Sequence, residues 1–212
     1  QNFMTSTYTP LGVELMVTGE NAGTWGTKTN TNLNLVEQIS GGYAVQTLNA
    51  AGTGANTTTL AKADGALGAT VATRVIILGA VSPQTIAGNK IITMPVLTEN
   101  FYLIKNSTTG SHTVQIKAAS GSGATVTWAA GEKDWRILYF DGVATNTGVY
   151  DTGFGAATAA AGSNTQVQYN SSGAFAGSAN LVFDGTNVTA AGIVTAQGGQ
   201  LSTTGKSFVM GF

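Results

Sequence analysis

The sequence is poor in the residues that carry most protein chemistry. It has no cysteine and a single histidine, His112, among 212 residues. Without cysteine the chain can form neither a disulfide framework nor a thiolate nucleophile. No apolar run approaches the roughly 18 residues that would cross a bilayer, and residues 1–10 lack the charged start and apolar centre of a signal peptide. We therefore expect no membrane insertion.

Charge is also scarce. Only 9% of the residues are Asp, Glu, Lys or Arg, against about 25% in an average soluble domain. The formal net charge is −1, and Lys and Arg are not clustered as phosphate binding requires, so no nucleic-acid partner is expected. Glycine contributes 29 residues, and Thr, Ala, Asn and Ser fill much of the remainder. A surface of hydroxyls and amides is weakly protected by charge repulsion, which is typical of assembly-prone β proteins.

The few candidate chemical groups each have a simple structural interpretation. His112 follows a serine on an alternating strand, and adjacent strand residues point to opposite faces, so the two do not make a catalytic pair. Glu132 and Asp134 stand beside two basic residues, which indicates a solvated strand end rather than a glycosidase carboxylate pair. We expect a protein that is not an enzyme, with no catalytic residue, no cofactor and no metal site.

The most apolar part of the chain is residues 74–142, where apolar runs of strand length are broken by turn residues such as Ser82-Pro83. The run at 75–78 does not alternate, which suits a strand covered on both faces and requires a second layer. We predict an antiparallel β-sandwich or jelly-roll module over residues 74–150. Its six predicted strands cover residues 75–78, 90–95, 101–106, 114–116, 126–128 and 135–140.

Alternation of apolar residues predicts which side chains form the core of this module. Val114 and Ile116 share one face of their strand, and polar residues occupy the other face. The same reasoning places Ile137 and Tyr139 on an inward face. The predicted core consists of Val75, Ile77, Ile92, Leu103, Val114, Ile116, Ile137 and Tyr139.

Residues 1–50 differ from the β module and are predicted to form a separate segment with one helix. Glycines surround Trp25, which indicates a loop. A short helix follows, with a cap at Thr31 or Asn32 and an end at the glycine pair 41–42. Such a short, neutral helix needs a packing partner. Its predicted apolar face consists of Leu33, Val36 and Ile39.

Three motifs stand in this segment: Leu-Gly-Val-Glu at 11–14, the glycine-rich run 18–27 with its Trp-Gly pair, and Asn-Thr-Asn-Leu at 30–33. They resemble the N-terminal segment of tail-fibre and related virion proteins of tailed bacteriophages, particularly marine ones. Residues 101–110 and 139–142 also resemble β modules of such fibres. The resemblance implies a structural virion protein that is homotrimeric, anchors to other phage tail or virion proteins and extends toward the host surface. The residues expected to serve attachment are Leu11, Trp25, Asn30, Asn32, Leu33 and Val36.

The rest of the chain is predicted to connect and extend the β module. Residues 51–73 are predicted to be a linker. Residues 151–212 resemble the β repeats of fibre shafts, which implies a β-rich trimeric shaft segment that becomes ordered by winding with identical chains about a three-fold axis. The side chains expected to pack in this shaft are Val167, Tyr169, Phe175, Leu181 and Phe183.

Two other classes of protein stay open. Aromatic residues could stack on sugar rings and make the chain a receptor-recognition module for a host surface glycan. An aromatic cluster exposed on one face would favour that class. A bacterial surface adhesin or filament subunit built from similar repeats would instead donate a free strand between subunits. The aromatic residues considered for sugar stacking are Tyr43, Tyr102, Trp128, Trp135 and Tyr139.

Overall fold

The computed structural model describes residues 5–49, 56–154 and 160–192. It divides into two compact units, Gln1–Ala156 and Ala157–Phe212. Strands dominate the described ranges, in which one α-helix and one 3₁₀ turn also occur. The prediction of a mainly β chain with one helix near its start is confirmed.

The helix α1 spans Trp25–Gly41, and the 3₁₀ turn spans Thr70–Ala72. The strands of the first unit are β1 (Thr7–Tyr8), β2 (Glu14–Leu15), β3 (Tyr43–Gln46), β4 (Asn56–Thr59), β5 (Val75–Thr85), β6 (Lys90–Met94), β7 (Glu99–Thr109), β8 (Val114–Ala118), β9 (Val126–Trp128), β10 (Trp135–Asp141) and β11 (Val149–Asp151). Those of the second unit are β12 (Gln166–Ser171), β13 (Ala174–Phe183) and β14 (Val188–Ala190).

The helix begins earlier than the sequence predicts. It includes Trp25, which was expected in a loop, and it runs through Thr31 and Asn32, which were expected to cap it. Thr24 at the N-terminal boundary provides no side-chain cap, so no capping residue marks this end of the helix in the sequence. The predicted end is confirmed, because the Gly42 N–H donates to the Gln38 carbonyl at 2.6 Å.

The chain then winds between two sheets. Strands β3, β5 and β7 lie parallel in one sheet, and β4, β6 and β8 lie parallel in the other. The five-stranded sheet has the order β11-β10-β7-β5-β3, and the four-stranded sheet has the order β4-β6-β8-β9. Parallel neighbours need a crossover connection, and the intervening strand of the other sheet lies within it. The antiparallel pairing predicted for residues 74–150 is therefore wrong for the pairs β5–β7 and β6–β8. It is confirmed for the pairs β7–β10, β8–β9 and β10–β11.

All six strands predicted between residues 74 and 142 are present, as β5 to β10. The predicted turn at Ser82-Pro83 is wrong, because β5 continues to Thr85. Pairing of β5 with β7 is irregular between Gly79 and Gln84, and such a bulge accommodates the proline within a strand. Gly79 has a φ of 107°, and a Cβ there would lie 2.2 Å from the Ser107 carbonyl oxygen, so only glycine fits.

Both sheets bury side chains in a single apolar cluster. The predicted core positions Ile92, Val114 and Ile116 are confirmed. Within the cluster the rings of Tyr102 and Phe140 meet edge to face, with centroids 5.7 Å apart. The strand residues of the cluster are Ile76, Leu78, Ile92, Met94, Tyr102, Ile104, Val114, Ile116, Val126, Trp128, Leu138, Phe140 and Val149.

The predicted core face of the five-stranded sheet is wrong by one residue. Val75, Ile77, Leu103 and Ile137 are only half-buried and Tyr139 is exposed. The strand residues that alternate with them are buried, namely Ile76, Leu78, Tyr102, Ile104, Leu138 and Phe140. Because side chains alternate along a strand, a shift of one residue reverses the whole face. These strands are apolar at successive positions, so the pattern does not mark which side faces inward.

Segments outside the predicted module also contribute to this core. Strand β3 comes from residues 1–50, and β4 comes from residues 51–73, which were expected to be a linker. Leu48, Leu60 and Val71 are buried in the same cluster. Strand β4 consists of polar residues, so no apolar pattern predicted it. Its parallel pairing with β6 holds it in the sheet.

The second unit contains a three-stranded antiparallel sheet in the order β12-β13-β14. Ser172 and Gly173, both with positive φ, connect the first two strands in the manner of tight hairpin turns. Asp184 accepts hydrogen bonds from the backbone N–H groups of Thr186 and Asn187 at 2.8 and 2.7 Å. None of the described residues in 160–192 is buried.

Candidate functional site

A polar clamp fastens α1 to the N-terminal hairpin. The Asn32 Oδ1 accepts from the Glu14 backbone N–H at 3.0 Å, and the Asn32 Nδ2 donates to the Glu14 carbonyl at 2.9 Å. Lys28 lies one turn earlier, and its Nζ is 2.9 Å from the Glu14 Oε2. The hydrogen bond from Lys28 is the main cause that lowers the pKa of Glu14. One residue of β2 is thus held by both its backbone and its side chain.

Three large apolar side chains of α1 are largely uncovered. Trp25, Leu33 and Val36 are each more than half exposed, whereas Leu35 is fully buried. With 3.6 residues per turn, the three exposed residues fall on one side of the helix, and we call them the helix stripe. The clamp and the buried Leu35 fix the orientation of α1, so the stripe is presented in a defined direction.

The six residues expected to serve attachment fall into two groups. Trp25, Leu33 and Val36 form the helix stripe, and Asn30 is exposed as well. Asn32 is occupied by the clamp. Leu11 is half-buried and lines a small pocket with Pro10 and Ile39. The first group is open to a partner, and the second makes contacts within the fold.

The outward surface of the five-stranded sheet is apolar and partly exposed. Its aromatic residues are Tyr43, Phe101, Trp135, Tyr139 and Tyr150, which are 41 to 54% exposed. Strand registers align the residues of this surface in three rows, and we call the whole set the outer face. The rows are Phe101, Tyr139 and Tyr150; Tyr43, Val75, Leu103 and Ile137; and Val45, Ile77, Lys105 and Trp135.

Two cations lie against aromatic rings of the outer face. The Arg74 guanidinium lies 3.9 Å from the centroid of Phe101 and donates to the Asn100 Oδ1 at 2.8 Å. The Lys105 Nζ lies 6.0 Å from the ring centroid of Trp135 and donates to a backbone carbonyl. Both cations are held by groups of their own chain.

Sequence reasoning assigned Ile77, Ile137 and Tyr139 to the core and therefore missed the outer face as a surface. The available signal was the run of apolar residues at both odd and even positions of β5 and β10. A strand of that kind has an apolar surface on each side of its sheet. The structure buries only one of the two sides fully.

The carboxylates considered as a catalytic pair both bind one guanidinium. Arg136 Nη2 lies 2.9 Å from Glu132 Oε2, and its Nε lies 3.1 Å from Asp134 Oδ2. A third carboxylate, on Asp151, lies 3.5 Å from the Arg136 Nη1. The cluster connects the start of β10 with β11 as an ion-pair network.

His112 is half-buried just before β8.

The carboxylate of Asp141 organises a loop beside the outer face. The Asp141 Oδ1 accepts from the backbone N–H groups of Val143 at 3.0 Å and Gly148 at 2.9 Å. These two hydrogen bonds are the main causes that lower the pKa of Asp141. Its negative charge in turn raises the pKa of Tyr150. The carboxylate therefore fixes the connection between β10 and β11.

In the second unit, the residues expected in a shaft are accessible. Tyr169, Phe175 and Phe183 are exposed, while Val167 and Leu181 are half-buried. Tyr169 pairs with Ala176, the neighbour of Phe175, so Tyr169 and Phe175 emerge on opposite faces of the sheet. The described residues of the unit, 160–192, therefore leave aromatic side chains exposed on both faces of the sheet.

Within the ranges 5–49, 56–154 and 160–192, no group of three or more His, Asp and Glu side chains is placed to hold a metal ion. No helix in that part of the chain is long and apolar enough to span a membrane. Comparison with known protein families, curated proteins and solved structures gives no match to this chain. The resemblance to phage tail-fibre proteins stays a prediction that rests on the motifs at 11–14, 18–27 and 30–33.

Proposed function

We propose that the protein is a structural component of a phage virion, a tail fibre or fibre-like appendage. It anchors to the particle, acts as a homotrimer and extends toward the host surface. The observation that carries this proposal is that both units expose aromatic side chains that they do not cover themselves. Such surfaces mark sites of association.

The second unit supports the assembly part of the proposal. Ordering a backbone costs roughly 1 to 2 kcal/mol per residue, and no described residue of 160–192 is buried to offset that cost. Identical chains around a three-fold axis would cover both faces of the sheet and pair its open edges. The five expected shaft residues, Val167, Tyr169, Phe175, Leu181 and Phe183, would then lie between chains.

The helix stripe supports the anchoring part. Trp25, Leu33 and Val36 lie together on a helix that the clamp holds in place. A groove on another virion protein that accepts an amphipathic helix is the kind of partner that fits this stripe. Large aromatic anchors such as Trp25 commonly dominate the energy of such contacts.

The test of anchoring is the number of copies of a tagged chain per purified particle, counted for wild type and for Trp25→Ala with Leu33→Ala. We expect at least tenfold fewer copies of the double variant per particle than of wild type. Its melting temperature should stay within about 2 °C of the wild-type value, because both residues are exposed. Leu15→Ala, which removes an exposed leucine outside the helix, is the matched control. Normal incorporation of the double variant would refute anchoring by the stripe.

A second candidate function is recognition of a surface glycan, favoured by the five aromatic residues on the outer face. Sugar rings stack on such side chains, but recognition also requires polar groups that bind the hydroxyls. The middle of the outer face is formed by Val75, Ile77 and Leu103, which offer none. Binding to an array of bacterial surface glycans that is lost in Trp135→Ala would favour this function over the first.

A further inference from the structure

We propose that the outer face of the five-stranded sheet is the surface through which copies of this chain associate. The occupants of the face are the same faces of the other two copies of this chain, which meet about the three-fold axis of the proposed trimer. This inference deepens the proposed function and rests on its claim that identical chains assemble. It places a contact between chains on the first unit, in addition to the contact proposed for the shaft residues of the second.

The chemistry of the face favours a protein partner. Its middle is aliphatic, with Val75, Ile77, Leu103 and Ile137 in adjacent strands, and its aromatic residues stand around them. An apolar centre with aromatic residues and a polar rim is the usual composition of a protein interface. The tyrosine hydroxyls and the two cations supply polar groups next to this centre.

The size of the face fits a stable association. Aromatic side chains bury about 150 to 250 Å² each when fully covered, so five that are about half exposed offer roughly 500 Å². The aliphatic side chains and the stem of Lys105 add to that area. Stable interfaces bury about 800 Å² per partner, and the face approaches this value without help from the second unit.

The charge of the face fits a second copy. A surface that meets its own copy brings equal charges together, which opposes association unless those charges are compensated. Among the eleven residues of the three rows, Lys105 alone is charged, so few equal charges would meet. Arg74 lies beside the rows on Phe101, and both cations hydrogen-bond to neutral oxygens. Every other copy carries an apolar surface of the same size, so two outer faces match each other in polarity and in area.

The face is also rigid before it binds. Its residues lie on strands that are paired within one sheet, so association orders few backbone groups. Preorganised surfaces lose less conformational entropy on binding. This distinguishes the outer face from the second unit, whose sheet has no buried side chain.

The test is the dissociation constant of the full chain, measured by sedimentation equilibrium, for wild type, Tyr139→Glu and Val45→Glu. Each substitution places a carboxylate on the face at a position that is partly exposed, so the fold is expected to persist. We expect at least a tenfold rise in the dissociation constant for both. Val81→Glu introduces the same charge at a β5 position that is 70% exposed and lies in the irregular stretch between Gly79 and Gln84, outside the three rows. It should change the constant less than twofold.

A second measurement does not depend on destabilising substitutions. Because the chain has no cysteine, a single cysteine at Tyr139 or at Val81 gives one labelling site. A maleimide should modify Tyr139→Cys at least tenfold more slowly at high than at low protein concentration, and it should modify Val81→Cys equally at both. Equal rates for Tyr139→Cys would overturn the inference.

The two proposals fail separately. A wild-type chain that stays monomeric at tens of micromolar overturns the inference, as do face variants that keep the wild-type dissociation constant. If such a monomeric chain is still found in purified particles, its role in the virion stands, and the claim that it acts as a homotrimer fails together with the inference. If the face variants dissociate but the chain is absent from particles, the inference stands and the virion role fails.

Discussion

Asn32 makes hydrogen bonds to both backbone groups of Glu14, accepting from the N–H at 3.0 Å and donating to the carbonyl at 2.9 Å. The same asparagine belongs to the motif that resembles phage fibre proteins, where it was expected to serve attachment. Its contacts give it a role inside the chain, because it connects α1 to β2. The neighbouring Asn30 is exposed and belongs to the same motif. Of the two asparagines, Asn32 therefore has a structural role within the chain, and Asn30 is open to a partner.

Asn32→Ala should lower the free energy of unfolding by about 1 to 3 kcal/mol, since it leaves two backbone groups of a half-buried segment without partners. Asn30→Ala is the matched control and should change it by less than about 0.5 kcal/mol. Urea denaturation of both variants measures the difference. Equal effects at the two positions would contradict the clamp.

Two isoleucines that are adjacent in β5 test which side of the sheet is the core. Ile76 is fully buried and Ile77 is half-buried. Ile76→Ala should cost about 2 to 5 kcal/mol of stability, and Ile77→Ala clearly less. The measurement must be made at a protein concentration where copies do not associate, because Ile77 lies on the outer face. A larger cost at Ile77 would mean that the core lies on the other side.

The same pair shows what the sequence could and could not predict. The six strands of residues 74–142 followed from apolar runs and turn residues. The inward side was predictable for β8, where polar residues alternate with Val114 and Ile116, and not for β5, where every residue from 75 to 78 is apolar. Parallel pairing depends on contacts between residues far apart in the chain, such as Val75 with Leu103, which no local pattern encodes.

The candidate site was predictable to a similar extent. Trp25 and Leu33 were identified by the motifs and Val36 by its helical spacing from Leu33, and all three are exposed on α1. Asn32 and Leu11 were chosen by the same motif, but tertiary contacts with β2 and with the pocket beside Ile39 occupy them. The outer face was missed because an aromatic residue in a strand, such as Tyr139, was interpreted as core.

Lys90 has a buried amine whose removal should stabilise the protein. It is 1% exposed, and its Nζ has no hydrogen-bond partner within the part of the chain that the structure describes. Burying an amine that makes no hydrogen bond is costly, so Lys90→Met should raise the free energy of unfolding by about 1 to 3 kcal/mol. Lys117→Met, at a half-buried position of the adjacent strand β8, is the control and should have little effect. A loss of stability in Lys90→Met would show that the amine has a partner.

The lowered pKa of Asp141 predicts a dependence of stability on pH. Because the folded pKa lies below the ordinary value of 3.8, the ionised carboxylate stabilises the fold fully above that value. The contribution is lost as the pH falls through the folded pKa. The difference in stability between wild type and Asp141→Asn should therefore be present at pH 7 and shrink below pH 3.8. A difference that does not change with pH would contradict the role given to this carboxylate.

The central claim is that the chain is a structural part of a virion, and imaging of assembled particles tests it most directly. Particles that carry a gold label on the chain, or a density map into which the first unit is fitted, should locate it in an appendage of the tail, in groups of three copies. Particles without the label, with the chain instead in the cell envelope of the host, would contradict the claim and favour a bacterial surface adhesin.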